Sequence, residues 1–477
     1  MALADLRAAF AGRLLDDAEA MAPFLTDWRR KWTGSALAVA QPDSAEGVAA
    51  VLRWCRARGV AVVPQGGNTG LSGGATPAAD GRSVVLSTAR LQRIRALDPV
   101  GRTITAEAGV TLQQVQDAAR AAGCLFPLSL AAQGTCTIGG NLSTNAGGVQ
   151  VLRYGNARAL CLGLEVVTAD GELWDGLRPL RKDNTGYALR DLFIGSEGTL
   201  GIITAAVLKL FALPKAQVVA FVAVPSPAAA LQLLSLAQDR LAADLTAFEL
   251  SSETCLQLVE RHVAAARRPL GPSPWYVLLE VSSAQDEAGA TQAIESLLEA
   301  AIEAGHATDA AVSVSLAQFR SLWALREDIS ESQGAEGPTI KHDIALPIAR
   351  IPAFIEHTGA AIARHFPALR LVVFGHLGDG NLHYNLSPPE GGMPRAEFLA
   401  LEAPVNRLVH DAVHAAGGSI SAEHGLGVLR RDEAARYKPV VEQRLMHAIK
   451  HALDPLNLMN PGKLLGPLPS HCNPLET

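Results

Sequence analysis

Pro64-Gln65-Gly66-Gly67-Asn68-Thr69-Gly70-Leu71-Ser72-Gly73-Gly74 places five glycines in eleven residues, directly after the apolar run Val60 to Val63. Glycine reaches positive φ and lets backbone N–H groups converge on an anion, as in a pyrophosphate cradle. The spacing is neither GxGxxG opening a helix nor GxxxxGK[ST], so it supports neither a Rossmann site nor a Walker loop. Such a loop taken alone is as readily a plain turn. Two further glycine-dense stretches, Gly134 to Gly148 and Gly195 to Gly201, change that balance. All three interleave polar residues that a plain turn does not need: Asn68, Thr69 and Ser72, then Thr135, Asn141, Ser143, Thr144 and Asn145, then Ser196, Glu197 and Thr199. This supply of amides and hydroxyls suits a long, mostly uncharged dinucleotide.

Working outward, Ser44 to Arg58 reads as a helix leading into the Val60 to Val63 strand, which is expected to break at Pro64. Ser83 to Leu86, Thr103 to Ala106, Leu162 to Thr168 and the run Ile202 to Leu210 read as strands, and Thr111 to Ala122 as a helix. The alternation argues for an α/β arrangement in this half. Around Pro214 the pattern changes to strand-like runs (Gln217 to Val224, Trp275 to Val281, Leu369 to Phe374) between long Ala/Leu/Glu helices, which predicts a second, α+β unit whose sheet is covered by helices. The expected organisation is 1–213, 214–420, a returning segment 421–466 and a loose tail 467–477.

The 477 residues are 48% hydrophobic and 18% charged, a globular composition with enough apolar mass for two cores. Net charge is -6, with no basic run to follow a phosphate backbone, so nucleic acid is not an expected partner. No stretch has the length of a membrane span, and Met1 to Phe10 lacks the features of a secretory signal, so a cytoplasmic location is the expectation. Six scattered cysteines without CxxC spacing indicate neither a zinc ribbon nor a redox pair.

All 13 histidines lie at or beyond His262, which assigns imidazole chemistry to the second half. The densest stretch is Gly375-His376-Leu377-Gly378-Asp379-Gly380-Asn381-Leu382-His383-Tyr384-Asn385, followed later by Glu423-His424-Gly425. Two histidines seven apart on a straight strand would be roughly 20 Å apart. The Asp379-Gly380 turn can fold them together as a hairpin. Singly, either histidine reads as structural; with Glu423 they form a donor set suited to zinc or another borderline divalent metal with open positions. Leu322 to Glu331 reads as one helix with Arg326 and Ser330 on a shared face at i and i+4, and Lys341 follows beyond Pro338. Arg326 offers a planar fork and Lys341 a compact charge, although an exposed solvated role is the ordinary fate of both residue types.

The glycine stretches, with Arg153-Tyr154-Gly155, Lys182-Asp183-Asn184-Thr185-Gly186-Tyr187 and Gly195-Ser196-Glu197-Gly198-Thr199-Leu200-Gly201-Ile202, resemble the vanillyl-alcohol-oxidase-like flavoproteins, within them the D-2-hydroxyglutarate and D-lactate dehydrogenase group. The resemblance runs from about Trp32 to Lys463. It implies an α+β fold with a PCMH-type FAD-binding domain followed by an FAD-linked oxidase C-terminal domain. It implies Gly66, Gly67, Asn68, Thr69, Gly70 and Gly73 at the FAD pyrophosphate, and Gly139, Asn141, Asn145 and Ile202 toward the ribityl and ring. Pro64, Thr144, Gly147, Glu197, Gly201 and Asn460 complete the implied cofactor set. The FAD is expected to be non-covalent, because the first half has no histidine to attach it.

The same resemblance implies His376, His383 and Glu423 as metal ligands, His424 as general base, and Arg326, Ser330, Lys341 and Asn385 at the substrate. The implied reaction is oxidation of a D-2-hydroxy acid by metal-assisted hydride transfer to flavin N5. Two cations suit two carboxylates, which favours D-2-hydroxyglutarate over D-lactate or glycolate. A metal-dependent hydrolase with structural glycine loops, and a flavin-binding protein without chemistry, are the remoter alternatives. An electron-transfer flavoprotein or quinone is expected as acceptor, and a homodimer as the assembly.

Overall fold

The computed structural model describes residues 3–466; the tail from Pro467, with Cys472, lies outside the described residues. The chain divides into two compact units. One comprises 1–148, 155–213 and Glu423 onward, the other Val149–Tyr154 and Pro214–Ala422. Among the described residues no helix is long and apolar enough to cross a membrane.

The first unit contains two principal sheets. In the four-stranded one, Ser83–Ser87 lies between Ala38–Pro42 and Ala61–Gln65, parallel to both, and Gly12–Leu15 runs antiparallel on the outer side of Ala38–Pro42. The central strand is buried along its whole length, which is why Ser83-Val84-Val85-Leu86-Ser87 shows little polar alternation. Helix Ala45–Arg58 is capped by Ser44, whose hydroxyl accepts from Gly47 N, and stops at Gly59, where φ is +62°. Its Val48, Val51, Leu52 and Cys55 recur at helical spacing and enter the same core as Val62, Val84 and Leu86. The expected strand break at Pro64 does not occur: the strand continues to Gln65. Pro64 is tolerated because this strand lies at the sheet's edge, where a missing N–H breaks no ladder.

The second sheet is five-stranded and antiparallel, in the order Ile94–Asp98, Thr103–Glu107, Gly201–Lys209, Cys161–Thr168, Leu173–Gly176. The α/β alternation read from the sequence therefore describes only the first sheet, and the fold is α+β. Burial pushes the thiols of Cys55 and Cys161 up to about 12, so they are inert packing groups.

In the second unit seven antiparallel strands run in the order Asp309–Val312, Ala216–Val224, Trp275–Ser283, Leu245–Ser252, Arg370–His376, Asn381–Ser387, Asp343–Ala345. One face packs Phe221, Tyr276, Leu278 and Phe374 against Leu256, Val259, Trp323, Leu325 and Ile329 from three helices. Helices Pro227–Leu241 and Glu287–Glu303 also pack on this sheet. The helix expected over Leu322 to Glu331 is two, Leu316–Glu327 and Ile329–Ala335, separated at Asp328. Arg326 and Ser330 thus lie on different helices. Aspartate is a residue that disfavours helix interiors and favours their ends.

Candidate active site

In the first unit the three glycine stretches converge on one cleft of about 900 Å³. The Gly66–Gly74 loop and the segment opening at Thr137 press together: a Cβ on Gly67 would fall 2.1 Å from the Thr135 carbonyl, and one on Gly66 2.5 Å from Thr137 Oγ1. Glycine is required there by close approach, since neither residue has positive φ. The third stretch is tied to the second by Glu197 N donating to Ser143 O at 2.8 Å and Gly195 N to Leu142 O at 3.0 Å.

Of the residues implied for the cofactor, Pro64, Gly66, Gly67, Asn68, Thr69, Gly70, Gly139, Asn141, Thr144, Glu197, Gly201 and Ile202 line the cleft. Gly73, Asn145, Gly147 and Asn460 are not among its lining residues and act elsewhere where a contact is seen. Gly73 turns at φ +70° and gives its carbonyl to Lys463. Asn145 Oδ1 accepts from Arg158 N at 3.0 Å. The Asn460 amide donates to the carbonyls of Gly74 and Glu197 at 2.9 and 2.8 Å, bracing two loops. Thr88 and Thr137 line the cleft without having been singled out.

No lysine or arginine is among the lining residues. A phosphate charge here must be met by backbone N–H groups and hydroxyls. The buried Thr137 Oγ1 has no hydrogen-bond partner within the protein, which is what a cleft built for a polar ligand leaves behind. The residues therefore fit FAD.

The C-terminal segment braces the first sheet and contributes His424 to the cleft. Leu458 O accepts from Val62 N, and Asn460 N donates to Val62 O, each at 2.8 Å, extending the edge of the first sheet. His424 lines the cleft, in a bend followed by Gly425 at φ +72°. This bend is held by Glu197, itself at φ +52°, whose carboxylate accepts from Leu426 N and Gly427 N, both at 2.8 Å. Burial raises the Glu197 carboxyl above its ordinary range, opposed by those two N–H groups and by Lys463. Lys463 lies beneath the first loop and donates to Gly73 O at 3.1 Å and Thr76 O at 2.8 Å. Its ammonium is brought down to about 8 by burial and then by Arg431. The sequence reading gave Lys463 no role.

In the second unit the hairpin expected around Gly378-Asp379-Gly380 is present, with Phe374 opposite His383. The rings of His376 and His383 sit 5.9 Å apart, edge to face, with their ligand nitrogens within 4.8 Å. Register adds a residue no local pattern announced. Glu249 lies directly opposite His376 on the neighbouring strand. Its carboxylate contacts His376 Nδ1 at 2.7 Å and accepts from Arg326 Nε at 2.9 Å. Burial alone would raise this carboxyl, but its partners His376 and Arg326 outweigh it and hold it at about 2. A carboxylate on one ring nitrogen fixes the tautomer and presents the other nitrogen to a metal, so the pair fits a divalent ion of zinc type.

Arg326 is fixed from a second side, its guanidinium 4.8 Å from the Phe374 ring centre. Its helix is pinned by Trp323 Nε1 donating to buried Glu280 at 2.9 Å. Of the other residues implied for the substrate, Lys341 is half-buried, just before the strand Asp343–Ala345, whereas Ser330 is exposed. Asn385 follows His383 by two on the same strand, but its amide is engaged: Oδ1 accepts from His342 N at 3.1 Å and Nδ2 donates to Gln333 at 3.0 Å. In this structure it acts as an internal strut.

Residues 36–176 match the family model described as FAD binding domain, and residues 213–464 the one described as FAD linked oxidases, C-terminal domain. Solved structures share the fold: p-cresol methylhydroxylase superposes with a TM-score of 0.74 at 16% identity, covering 97% of this chain and 96% of that one. The 4-ethylphenol oxidase of Gulosibacter chungangensis gives 0.72 at 18%, with coverage of 97% and 96%. The cleft and these matches define a flavoprotein with a PCMH-type FAD-binding domain and an FAD-linked oxidase C-terminal domain. Among curated proteins the chain is 43% identical to a D-2-hydroxyglutarate dehydrogenase of Xanthomonas citri, over 92% of this chain and 91% of that protein. It is 38% identical to the mitochondrial D-2-hydroxyglutarate dehydrogenase of Danio rerio, over 97% and 85%. The chain belongs to the family of FAD-dependent D-2-hydroxy-acid dehydrogenases.

Proposed function

We propose that this protein oxidises D-2-hydroxyglutarate to 2-oxoglutarate, and that His376, His383 and Glu423 hold a divalent metal, zinc by the chemistry of the donors. The observation that carries the substrate is the 43% identity, over 92% of the chain, to a protein named for that activity. When bound, FAD supplies the two-electron acceptor and the metal a Lewis acid that acidifies the 2-hydroxyl. The protein's own groups do the rest. Arg326, held by Glu249 and Phe374, presents its remaining guanidinium N–H groups to one carboxylate of the substrate. Lys341 offers a second positive charge. Glu249 keeps His376 in one tautomer, so that the ligand nitrogen is free of its proton. His424, beside the flavin cleft, takes the hydroxyl proton as C2 is oxidised. Electrons then pass to an electron-transfer flavoprotein or a quinone.

Anaerobic mixing with D-2-hydroxyglutarate, D-lactate and their L-enantiomers, followed in the visible flavin spectrum with and without prior chelation, tests the whole reading. Chelator-sensitive bleaching by D-2-hydroxyglutarate is expected. Faster bleaching by D-lactate would overturn the substrate, and bleaching indifferent to exhaustive chelation would overturn the metal.

A further inference from the structure

The Lys182 to Tyr187 motif is absent from the flavin cleft. It lies at the other end of the five-stranded sheet. Gly201 and Ile202, which line the flavin cleft, pair with Thr168 and Val167, whereas Leu208 pairs with Cys161. At about 3.3 Å per residue, roughly 25 Å of strand separates Gly201 from Lys209. Around Lys209 opens a second concavity of about 1650 Å³, formed wholly within the first unit.

Its lining is unlike the flavin cleft's. Arg178, Arg181, Lys182, Arg190 and Lys209 face it, with Asp183 the one carboxylate among the lining residues, in a chain whose net charge is -6. Arg178 pairs with Asp183 at 3.2 Å and Arg190 with Asp191 at 3.2 Å. Arg181, Lys182 and Lys209 have no carboxylate partner among the described residues; the Lys209 ammonium meets only the Ala159 carbonyl, and Arg181 the Gly101 carbonyl at 3.5 Å. Burial lowers the affinity of Lys209 for its proton, and the nearby Arg190 and Arg181 lower it further. Two aromatic rings share the cleft, Trp174 and Tyr187, the latter 95% exposed. An exposed tyrosine beside a cluster of unneutralised cations has no packing role in the chain itself.

We propose that this cleft binds a nucleoside diphosphate or triphosphate, its phosphates on Arg181, Lys182 and Lys209 and its base against Tyr187 or Trp174. Guanidinium and ammonium donors meet phosphate oxygens through charge-assisted hydrogen bonds, and a flat base covers an otherwise wet aromatic face. These groups line a concavity open to solvent, which suits a small ligand more than a flat partner surface would.

Isothermal titration of the FAD-loaded protein with ADP, and separately with pyrophosphate, tests this while the flavin spectrum is monitored. ADP is expected to bind one to one without disturbing the flavin, and more tightly than pyrophosphate. The double variant Arg181→Gln/Lys182→Gln should weaken it by at least about tenfold, the scale of one or two lost charge-assisted contacts. Tyr187→Ala should reduce the preference for ADP over pyrophosphate. These side chains are on the surface, and unchanged flavin content checks that the variants fold. Absence of saturable binding up to about 1 mM, a free energy near the weak end of specific recognition, would overturn the proposal. So would ADP binding untouched by the double variant, ADP displacing the flavin, or pyrophosphate binding as tightly as ADP.

Discussion

No lysine or arginine lines the glycine cleft of the first unit, whereas one face of the second unit's sheet brings Glu249, Arg326, His376 and His383 together. The first site is made from backbone, and its specificity lies in how closely chain segments approach. The second is made from side chains that hold each other's charge. A backbone site tolerates little added volume but is indifferent to distant charges. A charge network tolerates volume but fails when one member is neutralised, because the remaining members are left buried without compensation.

Because one site is built from backbone and the other from charged side chains, substitutions should sort cleanly into loss of flavin and loss of turnover. The largest effect is expected from His376→Ala: turnover falls by roughly a thousandfold or more, since removing Lewis-acid assistance costs several kcal/mol, while the flavin absorbance per protein is unchanged. Retained turnover would remove the histidine from the chemistry. Glu249→Gln should lower metal affinity or kcat by about 10- to 100-fold, the usual range for a group behind a ligand, again with full flavin content. Loss of flavin in this variant would break the contrast.

Gly67→Ala works in the opposite direction. Its Cβ must displace the Thr135 carbonyl, 2.1 Å away, so the purified protein should carry less FAD while its metal content, measured by mass spectrometry, is preserved. Arg326→Lys keeps the charge but loses the fork, and should raise KM by about tenfold with a smaller change in kcat; an unchanged KM would place the substrate carboxylate elsewhere.

The smallest effect concerns stability, away from either site. Glu336 receives Arg370, His262 and Arg261, and although burial alone would raise its carboxyl, these partners hold it at about 2, below its usual 4.5. A carboxyl depressed on folding contributes fully above its unfolded value and loses that contribution as pH falls through the folded one. Acid unfolding should therefore steepen between about pH 4.5 and 2, and Glu336→Gln should flatten that limb; an unaltered limb would remove Glu336 from the acid response.

Much of this was legible in the chain. Glycine runs punctuated by Asn, Ser and Thr marked the flavin cleft, and the Asp379-Gly380 turn placed His383 across from His376's strand, because turn chemistry depends on neighbours in sequence. The Arg326 to Ser330 pairing was misread for a local reason too: Asp328 ends one helix and begins another, and helical spacing says nothing across such a break. Gly73, Asn145 and Asn460 read as cofactor contacts but bond to protein groups in the structure, since a loop's sequence does not tell which of its residues face inward.

What the sequence by itself determined is the supply of parts whose behaviour is local: glycines that permit close approach, a hairpin turn, and histidines confined to the second half. Tertiary structure alone decided that Glu249, 127 residues before His376, lies opposite it, and that Lys463 reaches the carbonyl of Gly73, 390 residues earlier. Both depend on strand register and on the return of a distant segment. These are set by the burial of whole faces, and no window of neighbouring residues contains that information.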